Sequence, residues 1–98
     1  MRIALSKFGT TLVSRQSGKE AYSAFAQNLK NLGNAEPVEV DFSNVVTFSP
    51  SWGDEFLGAL ADNYDDRLTL INVRGNPSVL LTLKILGEIK KYQWNVIK

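Results

Sequence analysis

The chain has 98 residues, 44% of them hydrophobic and 21% charged, which suits one soluble globular domain and is too short for two ordinary ones. Eleven basic residues against ten acidic ones leave a formal charge of +1, so no long-range field recruits nucleic acid or an anionic membrane. Cysteine and histidine are both absent, which excludes disulfides, thiolate metal sites, the usual serine and cysteine triads and histidine bases. Met1 to Lys7 lacks the apolar stretch of a signal peptide and no window reaches the length of a membrane span, so the cytoplasm is the default expectation.

Ile3 to Ser6 and Thr10 to Val13 are short apolar runs on either side of Gly9, which predicts an N-terminal β-hairpin. Ser17-Gly18-Lys19-Glu20 has the form of a capping box, and Tyr22, Phe25, Leu29 and Leu32 recur at helical spacing behind it. These residues predict a first helix, closed by Gly33-Asn34. Val38, Val40 and Phe42 alternate with Glu39 and Asp41, the period of a strand.

Ser49-Pro50-Ser51-Trp52-Gly53-Asp54-Glu55 opens a second helix, carried on by Phe56, Leu57, Leu60, Ala61 and Tyr64. Proline suits the first helical turn, either serine can cap it, and two carboxylates near its start complement the helix dipole. Asp62, Asp65 and Asp66 lie in an acidic connection without calcium-loop spacing. Arg67 to Val73 reads as a buried strand, Asn76-Pro77 caps a third helix, and Val79, Leu83, Leu86 and Ile89 mark its buried side. Lys84, Lys90, Lys91 and Lys98 lie in or after that helix, and the tail from Tyr92 is a last strand or a docked end. The order β-β-α-β-α-β-α predicts an α/β fold in a single domain, residues 1–98. Its sheet is mixed and has four to five strands: a hairpin first and parallel strands later.

Three pieces of the chain then carry a likeness: Leu12-Val13-Ser14-Arg15 with Gly18, Val40-Asp41-Phe42-Ser43-Asn44-Val45, and Ser51-Trp52-Gly53-Asp54-Glu55-Phe56. Together they resemble the STAS-like domains of unknown function found in bacteria, relatives in fold of the anti-sigma-factor antagonists. The resemblance implies a regulatory domain that binds another protein, in the antagonists a histidine-kinase-like ATPase or anti-sigma-like regulator, under control of serine phosphorylation at the start of the second helix. Counting from Asp41, Pro50 stands at the matching phosphoacceptor position and Ser51 follows it. Trp52 stands where the antagonists tend to have a small residue.

The candidate contact surface is therefore Ser49 to Phe56, with Ser49, Ser51, Trp52, Asp54 and Glu55 as partner-binding residues and Ser51 as candidate phosphoacceptor. Ser51 also reads as a simple cap, and Trp52 as a core anchor. Asp54 and Glu55 are neighbours about 100° apart on a helix and are not expected to converge on one ion. Arg15 and Arg74, each near a helix start, are the candidate anion- or ligand-binding residues of an alternative small-ligand or nucleotide sensor. No nucleophile–base pair assembles from these residues, so neither an enzyme nor a cofactor is expected. The expected assembly state is a monomer or weak dimer.

Overall fold

Short strands alternate with three helices in the computed structural model, which describes residues 1–33 and 35–97. The elements are β1 (Arg2–Ala4), β2 (Thr11–Leu12), α1 (Arg15–Leu29), β3 (Val38–Asp41), β4 (Thr47–Phe48), α2 (Pro50–Tyr64), β5 (Leu68–Ile71) and α3 (Pro77–Lys90). Tight 3-10 turns occupy Leu5–Phe8 and Asp65–Arg67. Strands β1, β3 and β5 form one parallel sheet with β3 in the middle, Ile3 opposite Val40 and Val40 opposite Leu70. Strands β2 and β4 form a second parallel pair, Leu12 opposite Phe48.

The α/β class and its three helices follow the sequence; the N-terminal hairpin does not. β1 and β2 enter different sheets and each pairs in parallel with a later strand. A hairpin turn leaves its tip in solvent, but the link here is apolar. Leu5 is fully buried, and the Phe8 ring packs on Phe25, Trp52 and Phe56 at centroid distances of 6.3, 6.2 and 5.2 Å. Gly9, at φ 130°, supplies the left-handed turn that sends the chain out toward β2.

Helix α1 starts earlier than the capping box predicts. Ser14 is extended (φ −91°, ψ 144°) and its hydroxyl accepts from the Ser17 amide at 3.1 Å. Ser17 thereby becomes a helical residue whose own hydroxyl is free for another task. The expected closure by Gly33-Asn34 is replaced by an earlier end at Leu29; Asn34 itself lies outside the described residues, as does Lys98.

An aromatic cluster joins α1 to α2. Trp52 and Phe56, both fully buried, stack at 5.0 Å, and Phe56 meets Tyr22 at 5.8 Å and Phe25 at 6.2 Å. Burying side chains of this size supplies roughly 1.5–3 kcal/mol each before entropy is counted. Helix α3 starts at its predicted cap, with Asn76 accepting from the Val79 amide at 3.1 Å and Pro77 in the first turn. It covers the outer main chain of β4. Ser78 accepts from the Phe48 amide at 2.9 Å, and Thr82, buried within α3, donates to the Phe48 carbonyl at 2.6 Å. Ile89 departs from the expected buried stripe and is 67% exposed.

After α3 the chain turns at Lys91, in the left-handed region at φ 62°. Tyr92 and Trp94 dock back on the helices, Tyr92 donating to Asp62 at 2.9 Å and Trp94 Nε1 donating to the Leu83 carbonyl at 2.8 Å. Val96 makes a single parallel bridge to Leu70 at the free edge of β5. The tail is thus a docked end that touches the sheet at one residue.

Candidate functional site

The first turn of α2 is held by Ser49. Its amide donates to the Leu12 carbonyl at 2.9 Å, its hydroxyl donates to the Val13 carbonyl at 2.7 Å, and the same oxygen accepts from the Trp52 amide at 3.3 Å. One serine therefore caps the helix and ties it to the end of β2. Of the two serines that the sequence offers as caps, Ser51 is left over. Its side chain is half-buried, and among the described residues its hydroxyl makes no hydrogen bond.

Trp52 is fully buried and donates from Nε1 to the Ser17 hydroxyl at 3.1 Å. It presents no surface to a partner, which removes it from the expected contact set and makes it a core anchor. The indole thus faces α1, where it meets the Ser17 hydroxyl. Gly18 of α1 lies against it, so close that a β-carbon there would fall 2.8 Å from the Trp52 carbonyl oxygen.

Asp54 and Glu55 do converge, contrary to the expectation from helical geometry. Both accept from Nη1 of Arg15, at 2.9 and 3.0 Å, and Lys90 of α3 approaches the other Asp54 oxygen at 3.6 Å. Their roots diverge on α2, but the two side chains bend toward one donor that α1 brings across. Hydrogen bonds from Arg15 to Asp54 and then to Glu55 raise the already high pKa of the guanidinium. Neither carboxylate lies in the first turn of α2, where the dipole acts most strongly. Their main contact is the ion pair. These groups are partly exposed, so the network orients side chains more than it stabilises the fold.

Arg15, Pro50, Ser51, Asp54, Leu86, Ile89 and Lys90 line one open hollow of about 290 Å³ where the three helices meet. The α3 residues in it were not legible as site residues. Lys90 reads as a dipole cation and Ile89, three residues past Leu86, as part of the buried stripe, so the spacing carries no signal of its exposure. Arg74 lies elsewhere. It lines a second hollow with Val73, Leu80, Val96 and Ile97, and the two hollows share no residue. The two candidate anion-binding arginines therefore line separate hollows, and Arg15 is already taken by two carboxylates.

Asp41, at the end of β3, accepts from the Asn72 side chain at 2.8 Å and from the Ser43 amide at 2.9 Å. Burial pushes its carboxyl upward, but the hydrogen bonds from Asn72 and Ser43 outweigh that and hold it below its ordinary value. This aspartate fastens the β3 and β5 ends together. Among the described residues no group of three acidic side chains is placed to hold a metal, and no helix is long and apolar enough to cross a membrane.

A family described as a STAS-like domain of unknown function matches residues 19–76. The chain belongs to this family. The match runs from inside α1 to the cap of α3, so the STAS-like region contains Ser49, Ser51, Asp54, Glu55 and Arg74, while Arg15, Ile89 and Lys90 flank it. Two of the three pieces that carried the resemblance, those around Asp41 and Ser51, fall inside it. No curated protein and no solved structure matches the chain. Membership of a STAS-like family fits a regulatory role.

Proposed function

We propose that this STAS-like domain is a non-catalytic signalling module of the cytoplasm that binds another protein through the surface around the first turn of α2. The observation that carries the reading is the hollow itself, where Ser51, Asp54 and Pro50 of α2 meet Arg15 of α1 and the exposed Ile89 and Lys90 of α3. An exposed aliphatic side chain ringed by half-exposed charges is the pattern of a protein contact with an apolar centre and polar rim. The partner class, a histidine-kinase-like ATPase or an anti-sigma-like regulator, comes from the family resemblance. Non-catalytic action is supported by the side chains' commitments: Ser49 caps, and Asp54 and Glu55 hold Arg15. Among the described residues the Ser51 hydroxyl makes no hydrogen bond, and a phosphate there would share the hollow with Arg15 and Lys90 and compete for them with the Asp54 carboxylate.

The test is affinity capture from the native host with four baits: wild type, Ser51→Asp, Ile89→Asp and, as control, Leu81→Asp, whose site is 59% exposed and away from the hollow. A protein held by wild type and the control but released by Ile89→Asp and Ser51→Asp supports this surface. Mass spectrometry of the recovered wild type reads phosphate on Ser49 or Ser51. Equal capture by all four baits would remove the surface from consideration.

A further inference from the structure

We propose that the second hollow is a site for a small amphiphile bearing one carboxylate, such as a medium-chain alkyl carboxylate, held by Arg74. The hollow measures about 260 Å³ and lies between the loop after β5, the first turn of α3 and the C-terminal tail. That is the room of roughly eight or nine waters. Its walls are Val73, Leu80, Val96 and Ile97, and among the described residues that line it Arg74 alone is charged. Leu80 and Ile97 are 49% and 54% exposed, so two aliphatic side chains face solvent across the hollow and gain by being covered.

The charge points to the head group. Of the four arginines in the chain, Arg2 pairs with Glu39, Arg15 with Asp54 and Glu55, and Arg67 donates to the Gly33 carbonyl and lies over the Tyr64 ring. Arg74 alone has neither an ion pair nor a hydrogen bond among the described residues. Its planar fork matches a carboxylate in two parallel hydrogen bonds. The position, beyond the carboxyl end of a parallel strand, is where such sheets offer crevices. Among the described residues the side chains lining the hollow carry no hydroxyl, amide or carboxylate, so the further polar groups of a nucleotide would find no side-chain partners there, which is costly. One anion on an apolar body is the chemistry that leaves nothing unpaired.

A ligand here also touches both sides of the tail's attachment, since Val96 bridges to Leu70 while Leu80 stands on α3. Occupancy pins the tail against the helix.

Octanoate is the probe, titrated into the full chain below its micelle concentration with amide shifts followed by NMR; octan-1-ol and acetate are the comparison arms. Octanoate should shift Val73, Leu80, Val96 and Ile97 together, and acetate should not. Arg74→Gln should weaken octanoate about tenfold and leave octan-1-ol unchanged. Both side chains targeted in the hollow are exposed, so Arg74→Gln and Leu80→Ser should fold normally, and Leu80→Ser should weaken octanoate and octan-1-ol alike. Shifts that are absent or scattered over the surface would overturn the site. Equal octanoate affinity in wild type and Arg74→Gln would overturn the carboxylate assignment.

Discussion

Gly18 of α1 lies directly against the main chain of Trp52 in α2: a β-carbon on it would stand 2.8 Å from the Trp52 carbonyl oxygen and 3.0 Å from its α-carbon. Those are backbone atoms of a helix whose indole is fully buried, so no flexible tip can give way. Gly18→Ala gains about 1 kcal/mol of helix propensity but forces the two helices apart, an overpacking cost of roughly 1–3 kcal/mol. The expected outcome is net destabilisation of about 1 kcal/mol, and no more than about 2, read as a lower urea midpoint, with altered tryptophan fluorescence in the folded state. An unchanged or higher midpoint would mean that the helices separate freely.

The two serines at the start of α2 should behave differently. Ser49→Ala removes both the cap to Trp52 and the bond to Val13, and the expected loss is about 1–2 kcal/mol. Ser51→Ala removes no structural bond and should change stability by less than about 0.5 kcal/mol. Thermal or urea unfolding of the pair checks this. If Ser51→Ala proved the costlier change, Ser51 would be the cap and its availability for modification would be lost.

Acid stability should pass through Asp41. Because its folded carboxyl is held below its ordinary value by Asn72 and Ser43 against the effect of burial, the unfolded chain takes up that proton first as pH falls. The stability Asp41 contributes is full above the ordinary aspartate value of about 3.9 and is lost as pH falls through the lowered folded value. Asn72→Gly keeps the left-handed backbone, at φ 59°, and deletes the amide. The expected result is a higher Asp41 pKa by carboxyl-carbon NMR and an acid transition shifted to higher pH. Identical titrations in both proteins would show that the Asn72 bond carries none of the shift.

Tyr92 should mark the alkaline limit. Burial, then its hydrogen bond to Asp62 and the negative charge of Asp62 and Asp54, push its phenol up to about 12. A raised phenol favours the neutral form in the fold. Its contribution is therefore full below the unfolded value of about 10 and is lost as pH rises through about 12. Ultraviolet titration should show a late tyrosinate in wild type that Tyr92→Phe lacks, and Tyr92→Phe should also loosen the tail, with faster amide exchange at Leu70 and Ile97, whose amides hold the bridge. Unchanged exchange there would mean that Trp94 and Val96 hold the tail without it.

Local chemistry was enough for part of this protein. Alternation around Val38 and Val40, proline after a cap at Pro50 and Pro77, and helical spacing in α1 and α2 each place an element, because period and capping act within a few residues. The family likeness around Asp41 and Ser51 is of the same short range. What depended on contacts far apart in the chain was decided by the tertiary structure. Strands β1 and β2 parted because Phe8 found Phe25, Trp52 and Phe56. Trp52 went inward because Gly18 and Ser17, more than thirty residues earlier, made room and a hydrogen-bond acceptor for it. Arg15 met Asp54 and Glu55, not Arg74, because α1 crosses α2 at that close glycine contact. Sequence period says which face of a helix is apolar, but packing alone determines which helix that face meets, and so which charged groups share a hollow.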